Sequence, residues 1–136
     1  MNGIEWIVDA HGCAPELLRS LPALQSLFQQ IIADLRLRSV GESTWYQFPH
    51  TGGITGLCLL AESHLTCHTF PEFGSLALNL FCCIPREEWA FDSILKADFA
   101  ATSVNVRRLL RSYVPATNES DLLVPANLFS VEKRSE

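Results

Sequence analysis

Residues 53–83 read GITGLCLLAESHLTCHTFPEFGSLALNLFCC. Three runs inside this stretch, 54–60, 64–70 and 76–83, are short, apolar and rich in Leu, Ile, Thr, Phe and Cys, which suits strands better than helices. Only a few residues separate each run from the next. Hairpins are therefore the natural connection, and antiparallel neighbours the natural pairing.

Working outward, 43–48 is a further extended stretch, closed by Pro49 and the turn-forming Gly52 and Gly53. Before it, Leu24, Leu27, Phe28, Ile31, Ile32 and Leu35 recur at helical spacing and form one buried stripe. Pro15 fits the first turn of a helix. The segment 5–10 predicts a short strand that Gly12 ends. On the other side, Pro85 opens a predicted helix over about 87–99, with Trp89, Ile94 and Leu95 turned inward. A last strand over 103–110 carries Val104, Val106 and Leu109. The polar tail after about residue 115 is expected to be loosely held.

This order, strand–helix–strands–helix–strand, predicts an α+β fold: a two-layer sandwich of an antiparallel sheet with helices on one face. The whole chain, 1–136, makes a single domain. The middle strands look apolar on both faces, so the open face needs a cover. A second copy of the chain is the simplest one, giving an αββα dimer.

Composition narrows the function. With 48 % hydrophobic and 18 % charged residues the chain is core-forming. A net charge of −5 argues against nucleic acid; the cluster Arg107, Arg108, Arg111 reads as a charged strand edge. No apolar segment reaches the roughly 20 residues a membrane helix needs. The start lacks the pattern of a secretory signal, so a cytoplasmic location is expected. Five cysteines, an odd number set in apolar runs, point to free thiols rather than disulfides. No CxxC pair supports a structural metal.

Chemistry concentrates in Glu62, Ser63, His64, Cys67, His68, Glu72, Cys82 and Cys83. Metal binding by His64, Cys67 and His68 is disfavoured, because a strand holds the two His Cα atoms roughly 13 Å apart. A Ser-His or Cys-His nucleophile pair is open, although no GxSxG elbow surrounds Ser63. Core cysteines and satisfied histidines on a packed sheet account for the residues about as well.

The run AESHLTCHTFPE (61–72) closely resembles the ESH…HTWPE signature of the small, pyruvoyl-dependent bacterial S-adenosylmethionine decarboxylase proenzymes. LNLFCC (78–83) is similar to their following strand, and WIVDAHGCAPELL (6–18) to their opening strand, turn and helix. The resemblance spans about residues 4–112. It implies a self-processing enzyme of spermidine biosynthesis that decarboxylates S-adenosylmethionine. In such a proenzyme the Ser63 hydroxyl attacks the Glu62 carbonyl, and β-elimination then cuts the chain between 62 and 63. Ser63 becomes the pyruvoyl group, the one cofactor, which holds the substrate as a Schiff base. The resemblance further implies His68 as the base in elimination and Thr55 as the hydroxyl supporting processing. It makes Cys83 the acid that reprotonates the substrate, Glu72 the partner of the ribose hydroxyls and Phe70 an aromatic surface for the substrate. Cys82 is left to packing, facing away from Cys83 on the strand. No metal is implied. The partner is a second protomer, docked sheet to sheet, and each active site borrows residues from both chains.

The chain departs from that pattern at Thr55 in place of Ser, Phe70 in place of Trp, Asn79 in place of Asp and Ile84 in place of Gly. None removes a reactive group. They bear on substrate choice, for which arginine or ornithine is the alternative. An inactive regulatory paralogue is a further alternative, against which Ser63, His68 and Cys83 all stand.

Overall fold

A computed structural model of the chain describes residues 2–115 and 132–135. In chain order the elements are β1 (Asn2–His11), α1 (Pro15–Leu18), α2 (Leu21–Asp34), β2 (Thr44–Gln47), β3 (Ile54–Leu60) and β4 (Ser63–Phe70). A 3₁₀ turn (Pro71–Phe73), β5 (Ser75–Cys82), α3 (Phe91–Phe99), β6 (Ser103–Ser112) and β7 (Glu132–Ser135) follow. The strands form one sheet in the order β2-β3-β4-β5-β1-β6-β7, and every pairing is antiparallel.

Period-two alternation sorts the side chains. In β4, Ser63, Leu65, Cys67 and Thr69 are buried, whereas His64, His68 and Phe70 are exposed. The inward rows of β1, β3, β4 and β5 meet Leu24, Leu27, Phe28 and Ile31 of α2 and Phe91, Leu95 and Phe99 of α3 in one core. Each such side chain contributes roughly 1.5–3 kcal/mol by leaving water. The helix α2 starts where Ser20 accepts a hydrogen bond from the Ala23 amide at 3.2 Å. Gly56 lies under the Trp45 ring, which packs on Phe28 with ring centroids 4.7 Å apart, and any Cβ at 56 would run into that ring.

Several boundaries differ from the sequence reading. The first helical stretch is two helices, with α1 ahead of the predicted stripe. The opening strand runs from Asn2 to His11, longer than 5–10. The later helix begins at Phe91, not near 87. Segment 85–90 stays irregular because Trp89 is anchored by its side chain. Its Nε1 donates to Asp34 at 2.8 Å and its ring packs edge-on against Phe91. Of the tail expected to be loose, residues 132–135 form β7 against β6, and 116–131 lie outside the described residues.

Helices α2 and α3 pack on one face of the sheet. The open face is mixed rather than apolar: Leu57 and Leu59 are 52 % and 61 % exposed, beside His64 and His68. Towards β1 and β6 it carries charge pairs, Arg107 to Asp9 at 2.9 Å and Arg111 to Glu5 at 2.6 Å. The arginines read as a strand edge are thus partly spent on acids of the neighbouring strand.

Candidate active site

The β3–β4 hairpin carries reactive groups at both ends. At its tip, Ala61 and Glu62 turn the chain between Leu60 and Ser63, which pair in register. Two backbone bonds hold this turn. The Ala61 amide donates to the Arg38 carbonyl at 2.9 Å, and the Cys83 amide donates to the Glu62 carbonyl at 2.8 Å. The second bond polarises the carbonyl of the very peptide bond that joins Glu62 to Ser63.

Ser63 is 9 % exposed and sits directly across from Cys82, so both side chains point to the helix side of the sheet. Burial pushes the Cys82 thiol up to about 11, against the pull of the Arg86 charge and a hydrogen bond with Ser63. Cys83, one residue past β5, is exposed. A cavity of about 30 Å³ opens beside the turn, lined by Arg36, Arg38, Glu62, Ser63, Cys82 and Arg86.

At the other end of the hairpin, Thr55 and His68 are cross-strand partners, with Thr55 Oγ1 3.0 Å from His68 Nδ1. Beyond them the 3₁₀ turn brings Glu72 round to the same pocket. That pocket, about 280 Å³, is lined by Phe48, Thr51, Thr55, His68, Phe70 and Glu72. Its floor is fixed by Thr69, whose hydroxyl donates to the Leu18 carbonyl at 2.7 Å and accepts from the Ile54 amide at 2.8 Å. The sequence-predicted residues therefore fall into two groups. Ser63, Glu62 and Cys83 share the tip; Thr55, His68, Phe70 and Glu72 share the pocket.

Within one chain the two groups do not meet. Ser63 and His68 lie five positions apart along an extended strand, roughly 17 Å, and their side chains leave opposite faces. The same alternation splits His64, Cys67 and His68. Cys67 lies in the core with its thiol pushed up to about 12 by burial, while His64 stacks on Phe81 on the open face.

Sequence reasoning missed the arginines at the tip. Arg36 and Arg38 belong to the segment LRLRS (35–39), whose end bridges β3 at Ser39↔Leu60. The alternation of Arg and Leu there was a visible sign of an extended segment with a charged side. Nothing local announced that Arg86 would fold back on the same turn, nor that Cys82 would touch Ser63.

A family model described as S-adenosylmethionine decarboxylase matches residues 4–112. The chain is 36 % identical over 111 residues to the S-adenosylmethionine decarboxylase proenzyme of Picrophilus torridus, covering 80 % of this chain and 83 % of that protein. It is 35 % identical over 106 residues to the protein of the same name from Thermococcus onnurineus, covering 74 % of each. These relatives are archaeal, so the bacterial qualifier of the sequence reading is not carried further. The crystal structure of the adenosylmethionine decarboxylase from Aquifex aeolicus superposes with a TM-score of 0.68 at 21 % identity, over 85 % of this chain and 95 % of that one. It shares the fold.

Proposed function

Because this chain belongs to the S-adenosylmethionine decarboxylase family, we propose that it is a self-cleaving precursor whose mature form decarboxylates S-adenosylmethionine with a pyruvoyl group made from Ser63. The observation that carries the reading is the 2.8 Å bond from the Cys83 amide to the Glu62 carbonyl. It holds a donor where negative charge develops when the Ser63 hydroxyl attacks that carbonyl carbon, the arrangement that stabilises acyl-transfer intermediates. Serine, with an oxygen on Cβ that can leave, is the residue type from which a pyruvoyl group can form, so the tip fits the group.

The pyruvoyl group supplies a carbonyl that takes the substrate's amine and draws off the electrons released with CO₂. The chain's own residues do the rest. Cys83, exposed beside the tip, delivers a proton to the substrate carbon that lost CO₂. Glu72 accepts hydrogen bonds from the two ribose hydroxyls, and Phe70 lies against the adenosyl part. His68, held by Thr55, takes the proton removed from Ser63 Cα during cleavage.

That last assignment needs His68 near Ser63, and one chain keeps them roughly 17 Å apart on opposite faces. We therefore assign the pocket to the partner of a homodimer joined through the open sheet faces. A two-fold axis running through the hairpin sets the tip of one protomer against the Thr55–His68–Glu72 pocket of the other, in two equivalent sites. The exposed Leu57 and Leu59 on that face support such a contact. Four buried free thiols suit a reducing cytoplasm.

The test has two steps. Intact mass under denaturing conditions should give two fragments meeting at Glu62/Ser63, the larger with a blocked N-terminus. Release of CO₂ from carboxyl-labelled S-adenosylmethionine, arginine and ornithine should then single out the first. A chain that stays uncut on long incubation sinks the reading. Turnover of arginine or ornithine alone would keep the chemistry and replace the substrate.

A further inference from the structure

The arginine-lined cavity at the tip has no part in the function described so far, yet Ser63 and Glu62 both line it. Their chemistry says what it receives. When Ser63 Oγ bonds to the Glu62 carbonyl carbon, the Glu62–Ser63 C–N bond breaks and leaves an ester and a free amine. A base then removes the proton on Ser63 Cα. The Cβ–Oγ bond breaks, and its electron pair leaves on Oγ. The carboxylate left on Glu62 thus owns two oxygens: the old carbonyl oxygen, held by the Cys83 amide, and Oγ from Ser63. Ser63 directs Oγ to the helix side of the sheet, where the cavity lies. At about 30 Å³ the cavity has room for one water-sized group, such as an oxygen atom.

Charge agrees with this. Three arginines, Arg36, Arg38 and Arg86, line the cavity against one acidic residue, Glu62. The excess positive charge is what a second carboxylate would need. Arg86 Nε is buried and has no hydrogen-bond partner among the described residues. Arg36 is held at φ 55°, just after the end of α2, where glycine is the usual occupant. Arginine is thus kept at a backbone position that strains it.

Resting on the reading that the chain is cut between Glu62 and Ser63, we propose that Arg36, Arg38 and Arg86 form a leaving-group site, which stabilises the Glu62 carboxylate as the ester is eliminated and retains it afterwards. The site accelerates the second step of processing and leaves the first to the Cys83 amide. It also anchors the new end of the shorter chain.

The experiment follows full-length chain pulse-labelled in a cell-free translation system, sampled with and without hydroxylamine, which splits an ester at Glu62 but spares a peptide bond. Arg38→Ala/Arg86→Ala should accumulate hydroxylamine-sensitive chain, with elimination about tenfold slower for each arginine removed. Arg86→Lys should recover most of the rate, a rescue that a packing role would not give. A second readout covers variants that fold poorly: carboxypeptidase should spare Glu62 in processed wild type, whereas a free peptide ending in Glu62 is trimmed. Wild-type elimination rates in folded Ala variants, with no ester trapped, would overturn the inference, as would trimming of wild type at the free-peptide rate. An uncut wild type overturns the cleavage reading beneath it, which the mass spectrum alone reveals.

Discussion

The two ends of the β3–β4 hairpin are built from the same strands but by different rules. The tip is organised by backbone: a two-residue turn pinned through the Cys83 amide and the Arg38 carbonyl, with the Ser63 side chain buried. The far end is organised by side chains, the Thr55–His68 pair and the Glu72 carboxylate, all facing outward into an open pocket. On the proposed function, one end holds the bond to be cut and the other presents groups to a partner or substrate. Neither end carries all of the groups the proposed reaction needs, so on that proposal the catalytic unit spans two chains.

The largest effect should come from the tip. Ser63→Ala removes the hydroxyl proposed to attack Glu62, so cleavage and decarboxylation should both vanish. The fold should survive, since the change deletes one hydroxyl at the sheet margin. Mass spectrometry and the melting temperature check the two halves of this prediction. A cleaved Ser63→Ala chain would falsify the comparison at its root.

Mixing two inactive variants distinguishes a site within one chain from a site shared by two. Ser63→Ala and His68→Ala should each be inactive alone. Co-expressed, they should form heterodimers in which one site joins an intact tip to an intact pocket, giving roughly a quarter of wild-type activity from random pairing. If the two groups worked within one chain, the mixture would stay as dead as its parents.

Cysteine chemistry sharpens the contrast further. Cys83→Ala should still be cut, because the backbone amide that holds Glu62 remains, but turnover should fall by about 10²–10⁴-fold. Cys82→Ala should retain turnover and lose about 1 kcal/mol of stability from its buried site. Denaturant midpoints and steady-state rates separate these outcomes. Loss of turnover in Cys82→Ala with Cys83→Ala unaffected would reverse the assignment.

How much of this was legible beforehand follows from the same contrast. The three central strands could be read from 54–60, 64–70 and 76–83 because short apolar runs bounded by a few turn residues are too brief for helices and suit buried strands. His68, Phe70 and Glu72 of the pocket were singled out through the ESH…HTFPE run, where they are close in sequence, whereas Phe48 and Thr51 join them from outside that run. What stayed hidden is what long-range folding adds. Trp89 replaces a first helical turn by reaching Asp34, 55 residues away. Arg36, Arg38 and Arg86 converge from two separate segments on a turn that belongs to neither. The separation of Ser63 from His68 was implicit in the strand period, yet it acquires meaning only once both faces are known.

The smallest expected effect tests the strand that links the two ends. Cys67 sits midway on its inward row, and burial raises its thiol from the ordinary 9.0 to about 12. The folded state therefore keeps this proton over a pH range in which the unfolded chain has lost it. Below about pH 9 both states are protonated and the stabilisation is fully present. Between about 9 and 12 the unfolded state ionises first and stability falls as pH rises. Cys67→Ala has no proton to lose. Its own stability starts lower, from the missing sulfur, but should decline less between pH 8 and pH 10.5. Urea midpoints at those two values measure the difference in slope. Parallel declines would mean that water reaches the inward row, and the sheet would then not separate its two faces as cleanly as the two ends of the hairpin require.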